Sequence, residues 1–316
     1  MAFVLLKPRL PMSALSAQRE FVCLLTALVT PAWAQETQIE RARQFALPGV
    51  APVTPTALTE QAEHDPDSFG VQQVLREKEQ LRPFSAFAEI SAFVTNNVAL
   101  THHAHVADSF LIATFGFEYR RPLPSGFEWE AALKVATFRY DEFTRLNFNS
   151  VDAGVGVSYH ASRLGGLDFF ARYNFTALMG AETWDTFFQN HTITLGAQKT
   201  VPFSRAQSIF FGASGQLGFA DPKEAERSEL AAYAGYHLEA TRRLDVDLLY
   251  RYDYYIYSRG GRRDQNHTVS IGLRYRLTDW CSVSASSFFV VDRSNQEVFS
   301  YDAGNAGGAL TLSLQF

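Results

Sequence analysis

From Phe84 to Phe316 the apolar residues recur at every second position, and no other feature constrains the chain as much. Side chains alternate faces along a strand, whereas a helix with its 3.6-residue period would mix the two sets. The last segment shows the pattern most cleanly. Ala306, Gly308, Leu310, Leu312, Leu314 and Phe316 alternate with Gly307, Ala309, Thr311, Ser313 and Gln315. Val269, Ile271, Leu273, Tyr275 and Leu277 likewise oppose Ser270, Gly272, Arg274 and Arg276. Leu244, Val246, Leu248 and Tyr250 oppose Asp245, Asp247 and Arg251.

Twelve such strands are expected, with ten or fourteen as the alternatives, near 84–96, 108–121, 127–140, 147–161, 167–178, 190–201, 207–220, 228–241, 243–257, 265–278, 280–292 and 304–316. The first, seventh and eleventh alternate less strictly. All exceed the ~5–6 residues of an ordinary soluble strand and reach the ~9–11 that a tilted strand needs to cross a bilayer. Beyond the N-terminus no apolar run approaches the ~20 residues of a membrane helix. A chain that enters lipid without such helices must pair its backbone in a closed barrel. The aromatic share of 14% suits strands and the aromatic girdles of such barrels. The expected fold class is therefore all-β, a single antiparallel up-and-down transmembrane β-barrel of about 12 strands, with a short, partly helical N-terminal segment.

The spacing of turns supports this. Connections after even-numbered strands are short, as at 121–126, 162–166 and 278–279, while those after odd-numbered strands are mostly longer, as at 97–107 and 179–189. Bacterial barrels place short turns on the periplasmic side and long loops outside. A faint repeat adds to the case. Gln189-Asn190-His191-Thr192-Ile193-Thr194-Leu195-Gly196 is similar to Gln265-Asn266-His267-Thr268-Val269-Ser270-Ile271-Gly272, which suggests hairpin duplication.

The N-terminus reads as an export signal. Lys7, Arg9 and Arg19 precede the apolar run 21–29, and Ala32-Trp33-Ala34 offers a cleavage site before Gln35. The expected division is 1–34 signal peptide, 35–82 periplasmic segment or partial plug, and 83–316 barrel. Within 35–82, a short helix over 67–81 is expected, with Val71, Val74 and Leu75 on one face. The chain carries a net charge of −5. Loss of 1–34 would bring it near −7, which argues against a nucleic-acid partner. Cys23 lies in the leader, so Cys281 would have no disulfide partner and reads as a packed strand residue.

The terminal segment Leu310-Thr311-Leu312-Ser313-Leu314-Gln315-Phe316 and the export signal resemble those of bacterial outer-membrane β-barrel proteins, the small porin-like barrels in particular. The resemblance implies a place in the bacterial outer membrane, contact with outer-membrane lipid, and Phe316 as part of the signal read by the barrel-assembly machinery.

The charged residues of the barrel segment fall on the expected inward faces. Glu118, Arg120, Arg172, Glu239, Asp245, Asp247, Arg251, Asp253, Arg274 and Arg276 are the candidate lumen-lining set. Facing lipid at mid-membrane, an Arg or Lys would cost ~2–4 kcal/mol. The expected function is a narrow, porin-like channel for passive diffusion of small hydrophilic solutes, with Arg251, Asp253, Arg274 and Arg276 setting ion preference. A closed structural or adhesion barrel, with these charges paired across the interior, is the alternative. An outer-membrane lipid hydrolase is a third reading, resting on Ser158 and His160, which share a face. No catalytic residue, cofactor or metal is expected. His102, His103 and His105 are weak metal candidates that read as a solvated loop. Gly154 and Gly156 read as relief of crowding inside a barrel.

Overall fold

The computed structural model describes residues 31–45 and 82–316. Twelve antiparallel strands close into one barrel. They are β1 (Phe84–Thr95), β2 (Asp108–Pro122), β3 (Phe127–Tyr140), β4 (Phe148–Ala161), β5 (Leu167–Gly180), β6 (Thr186–Ser204), β7 (Gln207–Asp221), β8 (Arg227–Thr241), β9 (Leu244–Tyr257), β10 (Arg263–Arg276), β11 (Cys281–Ser294) and β12 (Tyr301–Gln315). Each strand pairs with its sequence neighbours, and β1 pairs with β12 to close the wall. At that seam Phe84 N–H donates to Phe316 O at 3.2 Å, and Phe316 N–H donates to Phe84 O at 3.0 Å. Their rings stack at 6.0 Å.

The wall is inside out relative to a water-soluble core. Ile90 and Leu314 are each 64% exposed, and Leu111, Phe115, Leu195, Val269 and Leu310 also stand on the outer surface. Their alternate neighbours face inward and are polar or charged over much of the barrel. The same alternation read from the sequence therefore places the apolar residues toward lipid.

The turns at 123–126, 162–166, 205–206, 242–243 and 277–280 lie at one end with β1's start and β12's end. The connections 96–107, 141–147, 181–185, 222–226, 258–262 and 295–300 lie at the other. These are the short-turn and long-loop ends.

One helix, α1 (Pro31–Phe45), is described before the barrel. Proline suits a first helical turn, and the following Ala, Gln, Glu and Arg residues are good helix formers. Ile39 and Ala42 are three apart, so they share one face. That face is buried inside the long-loop half of the barrel, against Phe110, Phe138, Phe148, Leu178 and Phe188. The helix crosses the expected cleavage position, leaving Gln35 within it. The helix expected over 67–81 lies outside the described residues.

The strands depart from expectation mainly where α1 sits. β6 starts at Thr186, ahead of the expected 190, because Phe188 is buried toward the helix. β12 starts at Tyr301, ahead of 304, because Tyr301 and Ala303 pack with Phe288 and Val290 and with Phe45 of α1. At its other end β6 runs through Pro202 to Ser204, with a register shift between those residues. A proline without an N–H is tolerated at such an irregularity.

Candidate functional site

The barrel encloses a concave, charged lumen, and its two halves differ. In the long-loop half, α1 is fixed by polar contacts from the surrounding strands and loops. Arg41 is completely buried. Its guanidinium donates to Asn305 Oδ1 at 2.8 Å, Thr95 Oγ1 at 3.0 Å, Gln44 Oε1 at 3.2 Å and the carbonyl of Asn97. Gln38 donates to the carbonyls of Arg145 and Asn147, both at 3.3 Å, and Thr37 to Ala99 O at 3.3 Å. Arg43 donates to Ala225 O at 2.8 Å.

Acidic residues of α1 meet basic residues of the barrel. Arg227 donates to Glu40 Oε2 at 3.0 Å, Tyr301 Oη donates to Glu40 Oε1 at 3.4 Å, and Arg262 bonds Glu36. Burial alone would raise the Glu40 carboxyl, but Arg227, Arg43 and Arg262 outweigh it and hold it below the ordinary carboxylate value. At the end of α1, Phe45 sits edge-on among Phe93, Phe110, Phe138 and Phe288, with ring centroids 5.0 to 6.0 Å away. Beneath Ala42 and Phe45 lies a cavity of about 110 Å³ that also touches Glu89, Lys134 and Asp152.

Arg251 and Asp253 belong to this closed half. The sequence reading places them in a wet pore, but they are 5% and 2% exposed. Arg251 donates to Asp253 at 2.8 Å and to Glu229 at 2.6 Å. A cation in a protein-filled interior needs such partners, because burying it alone is costly. Arg172 pairs with Glu130, and the space where Gly156 lacks a side chain is filled by these two groups.

The short-turn half is open. A cavity of about 580 Å³ is lined by Arg274, Arg276, Glu239, Asp245, Asp247 and Glu118, together with Glu89, His237, Asp279 and the inward face of β12, Thr311, Ser313 and Gln315. Arg276 stands 3.6 Å from Asp245, and His237 hydrogen-bonds Asp247 at 2.8 Å. Arg120 lies 3.7 Å from Glu118 near the rim. Phe87 and Phe210 also line the space. Their rings lie over Gly116 and Gly235, where any Cβ would clash with them. Glycine there lets the rings lie flat on the wall and leaves the lumen clear.

The remaining candidates are placed as follows. His160 Nδ1 and Asp168 Oδ1 are 2.6 Å apart at the short-turn end, but among the described residues no hydrogen bond joins Ser158 to His160. His102 and His103 lie near Glu297, whereas His105 is apart from them, 3.9 Å from Asp302. Cys281 is free and half-buried. The repeat corresponds to two equivalent places in the wall. His191 Nδ1 meets Tyr173 Oη at 2.7 Å, and His267 Nδ1 meets Tyr250 Oη at 2.9 Å.

Sequence reasoning missed Glu36, Glu40, Arg41 and Phe45 as lumen residues. The signal was present in 35–45, where good helix formers carry Ile39 and Ala42 at helical spacing, next to a polar face too charged for a linker alone.

A closed strand wall that is apolar outside and charged inside defines a transmembrane β-barrel of the bacterial outer membrane. The chain belongs to the TonB dependent receptor-like β-barrel family, whose pattern matches residues 64–310. Among solved structures it is similar to the COG4313 outer membrane channel from Pseudomonas putida F1, at 7% identity and a TM-score of 0.54, covering 77% of this chain and 100% of that one. It also matches the translocator domain of the autotransporter NalP from Neisseria meningitidis, at 11% identity and a TM-score of 0.45, covering 76% and 90%. An anion-selective porin from Comamonas acidovorans matches at 9% identity and a TM-score of 0.37, covering 73% and 98%. Of these, only the likeness to the Pseudomonas putida channel speaks to the fold, and it speaks to the fold alone. No curated protein matches the chain.

Proposed function

We propose that the protein is a narrow, porin-like channel for passive diffusion of small hydrophilic solutes, held closed at its long-loop end by α1. The observation that supports this most is the open, charged vestibule of about 580 Å³ in the short-turn half of the barrel. A barrel that serves only as a wall has no need to keep that volume clear, and eight-stranded barrels fill theirs with side chains. Carboxylates outnumber guanidiniums in this lining, with Glu89, Glu118, Glu239, Asp245, Asp247 and Asp279 against Arg274 and Arg276. The vestibule therefore favours cations over anions. The reaction chemistry of an enzyme is not part of this reading.

A closed structural barrel is the second reading, and the full burial of Arg41 favours it. Proteoliposome swelling separates the two. With an Arg41→Ala variant, small sugars and small ammonium salts should enter faster than into protein-free vesicles, while the full chain should stay close to that background. Swelling no faster than lipid alone for both proteins would leave the structural reading standing. Phospholipid or lipid A turnover that is lost on Ser158→Ala or His160→Ala would instead revive the lipid hydrolase.

A further inference from the structure

On the long-loop face two imidazoles and a carboxylate converge without bonding one another. His102 and His103 come from the loop after β1, and Glu297 from the loop before β12. The two loops meet because β1 and β12 are partners at the closing seam. One nitrogen from each histidine and one Glu297 oxygen lie within 4.8 Å of one another. His102 Nε2 is 3.7 Å from Glu297 Oε1, too far for a hydrogen bond. The other ring nitrogen, Nδ1, is buried with no partner. The two imidazole centroids are 4.2 Å apart.

The loop that presents the histidines is tied down from below. Asn97 is completely buried, and its side-chain amide donates to Thr101 O at 2.7 Å and Asp302 O at 2.8 Å. Its Oδ1 accepts from the Thr101 N–H at 3.1 Å. Leu100 and Ala104, on either side of the pair, have φ of 52° and 56°. Non-glycine residues persist in that region only when their surroundings hold them there. The imidazoles are thus presented by a fixed loop, not by a freely moving one.

We propose that His102, His103 and Glu297 bind one divalent transition-metal ion of the zinc class. Two imidazole nitrogens and one carboxylate oxygen are the donor set such an ion takes when it keeps a position for water. Calcium and magnesium, which require oxygen ligands, fit it poorly. The ion would join the loop after β1 to the loop before β12 and so fasten the barrel seam from outside. It would also act on α1, because the same histidine loop supplies the Asn97 and Ala99 carbonyls that receive Arg41 and Thr37. An ion bound to this loop conformation favours the docked helix by mass action.

Calorimetric titration of Zn²⁺ into tag-free, full-length protein in detergent tests the proposal. One saturable Zn²⁺ site per chain is expected. His103→Ala and Glu297→Gln should each weaken it by at least about tenfold, and His105→Ala should leave it unchanged. All three substitutions lie in surface loops, and strand content by circular dichroism confirms that each variant is folded. Absence of saturable binding would overturn the proposal. So would binding that survives Glu297→Gln and His103→Ala, or that falls equally with His105→Ala, since either outcome means diffuse attraction to a histidine-rich loop.

Discussion

Arg41 of α1 donates a 2.8 Å hydrogen bond to Oδ1 of Asn305 on β12, joining residues 264 positions apart inside the barrel. The same guanidinium reaches Thr95 and Asn97 at the end of β1. One side chain therefore ties the helix to both strands of the closing seam. Every one of these groups is withdrawn from water, so each depends on the others for its hydrogen bonds.

Arg41→Ala should loosen α1 without unfolding the barrel. Asn305 Oδ1 and the Asn97 carbonyl would lose a donor while buried, a cost of about 1–3 kcal/mol. The strand ladder is untouched. Amide hydrogen exchange in α1 should accelerate by roughly 5- to 100-fold, with exchange in β9 and β10 unchanged. Unchanged exchange in α1 would show that Arg41 is not its anchor.

Acid should release the helix. Arg227, Arg43 and Arg262 hold the Glu40 carboxyl below its ordinary value, despite the opposing effect of burial. Tyr301 Oη also donates to it, at 3.4 Å, and Asp292, Tyr255 and Tyr257 lie close enough to feel its charge. A carboxyl lowered in the folded state contributes its full stabilisation above the unfolded value and loses it as pH falls through the lowered one. Docking is then intact at neutral pH and weakens below about pH 4. Solute entry into proteoliposomes should rise over that window. Glu40→Gln should remove the step, because glutamine carries no proton-dependent charge. A step of equal size in the variant would assign the effect to another group.

A charge on the outer wall should damage folding far more than one in the vestibule. Leu195 is 60% exposed on β6 and faces lipid, whereas Ser313 lines the open cavity. Leu195→Arg should cost about 2–4 kcal/mol if it lies near mid-membrane. Ser313→Arg should cost little. Guanidinium unfolding in phospholipid vesicles measures both. Equal costs would mean that the outer wall does not face hydrocarbon.

The barrel was legible because period two is a strong local signal that lipid on one side and water on the other enforce along the whole strand. Leu310, Leu312 and Leu314 needed no partner to be read correctly. The vestibule was legible for the same reason, since Asp245, Asp247, Arg274 and Arg276 simply alternate with apolar residues. The long-loop half was not. There the inward residues Phe110, Phe138, Phe148 and Phe288 are apolar, so both faces are greasy and alternation fades. The weakness noted in the eleventh strand, at Phe288-Phe289-Val290-Val291, is the imprint of α1 on the wall. Arg251 and Asp253 kept the alternation, yet their burial depends on packing that no local pattern encodes. Glu297 was invisible as a neighbour of His102 because barrel closure alone brings their loops together.

Single-channel recording in planar bilayers tests the central claim most directly, with the full chain compared against Arg41→Ala at neutral pH. The account expects a channel that is nearly silent with α1 docked and that opens in long, well-defined, cation-preferring steps once its anchor is removed. Silence from both proteins would contradict a conducting lumen, and equal conductance from both would contradict closure by the helix.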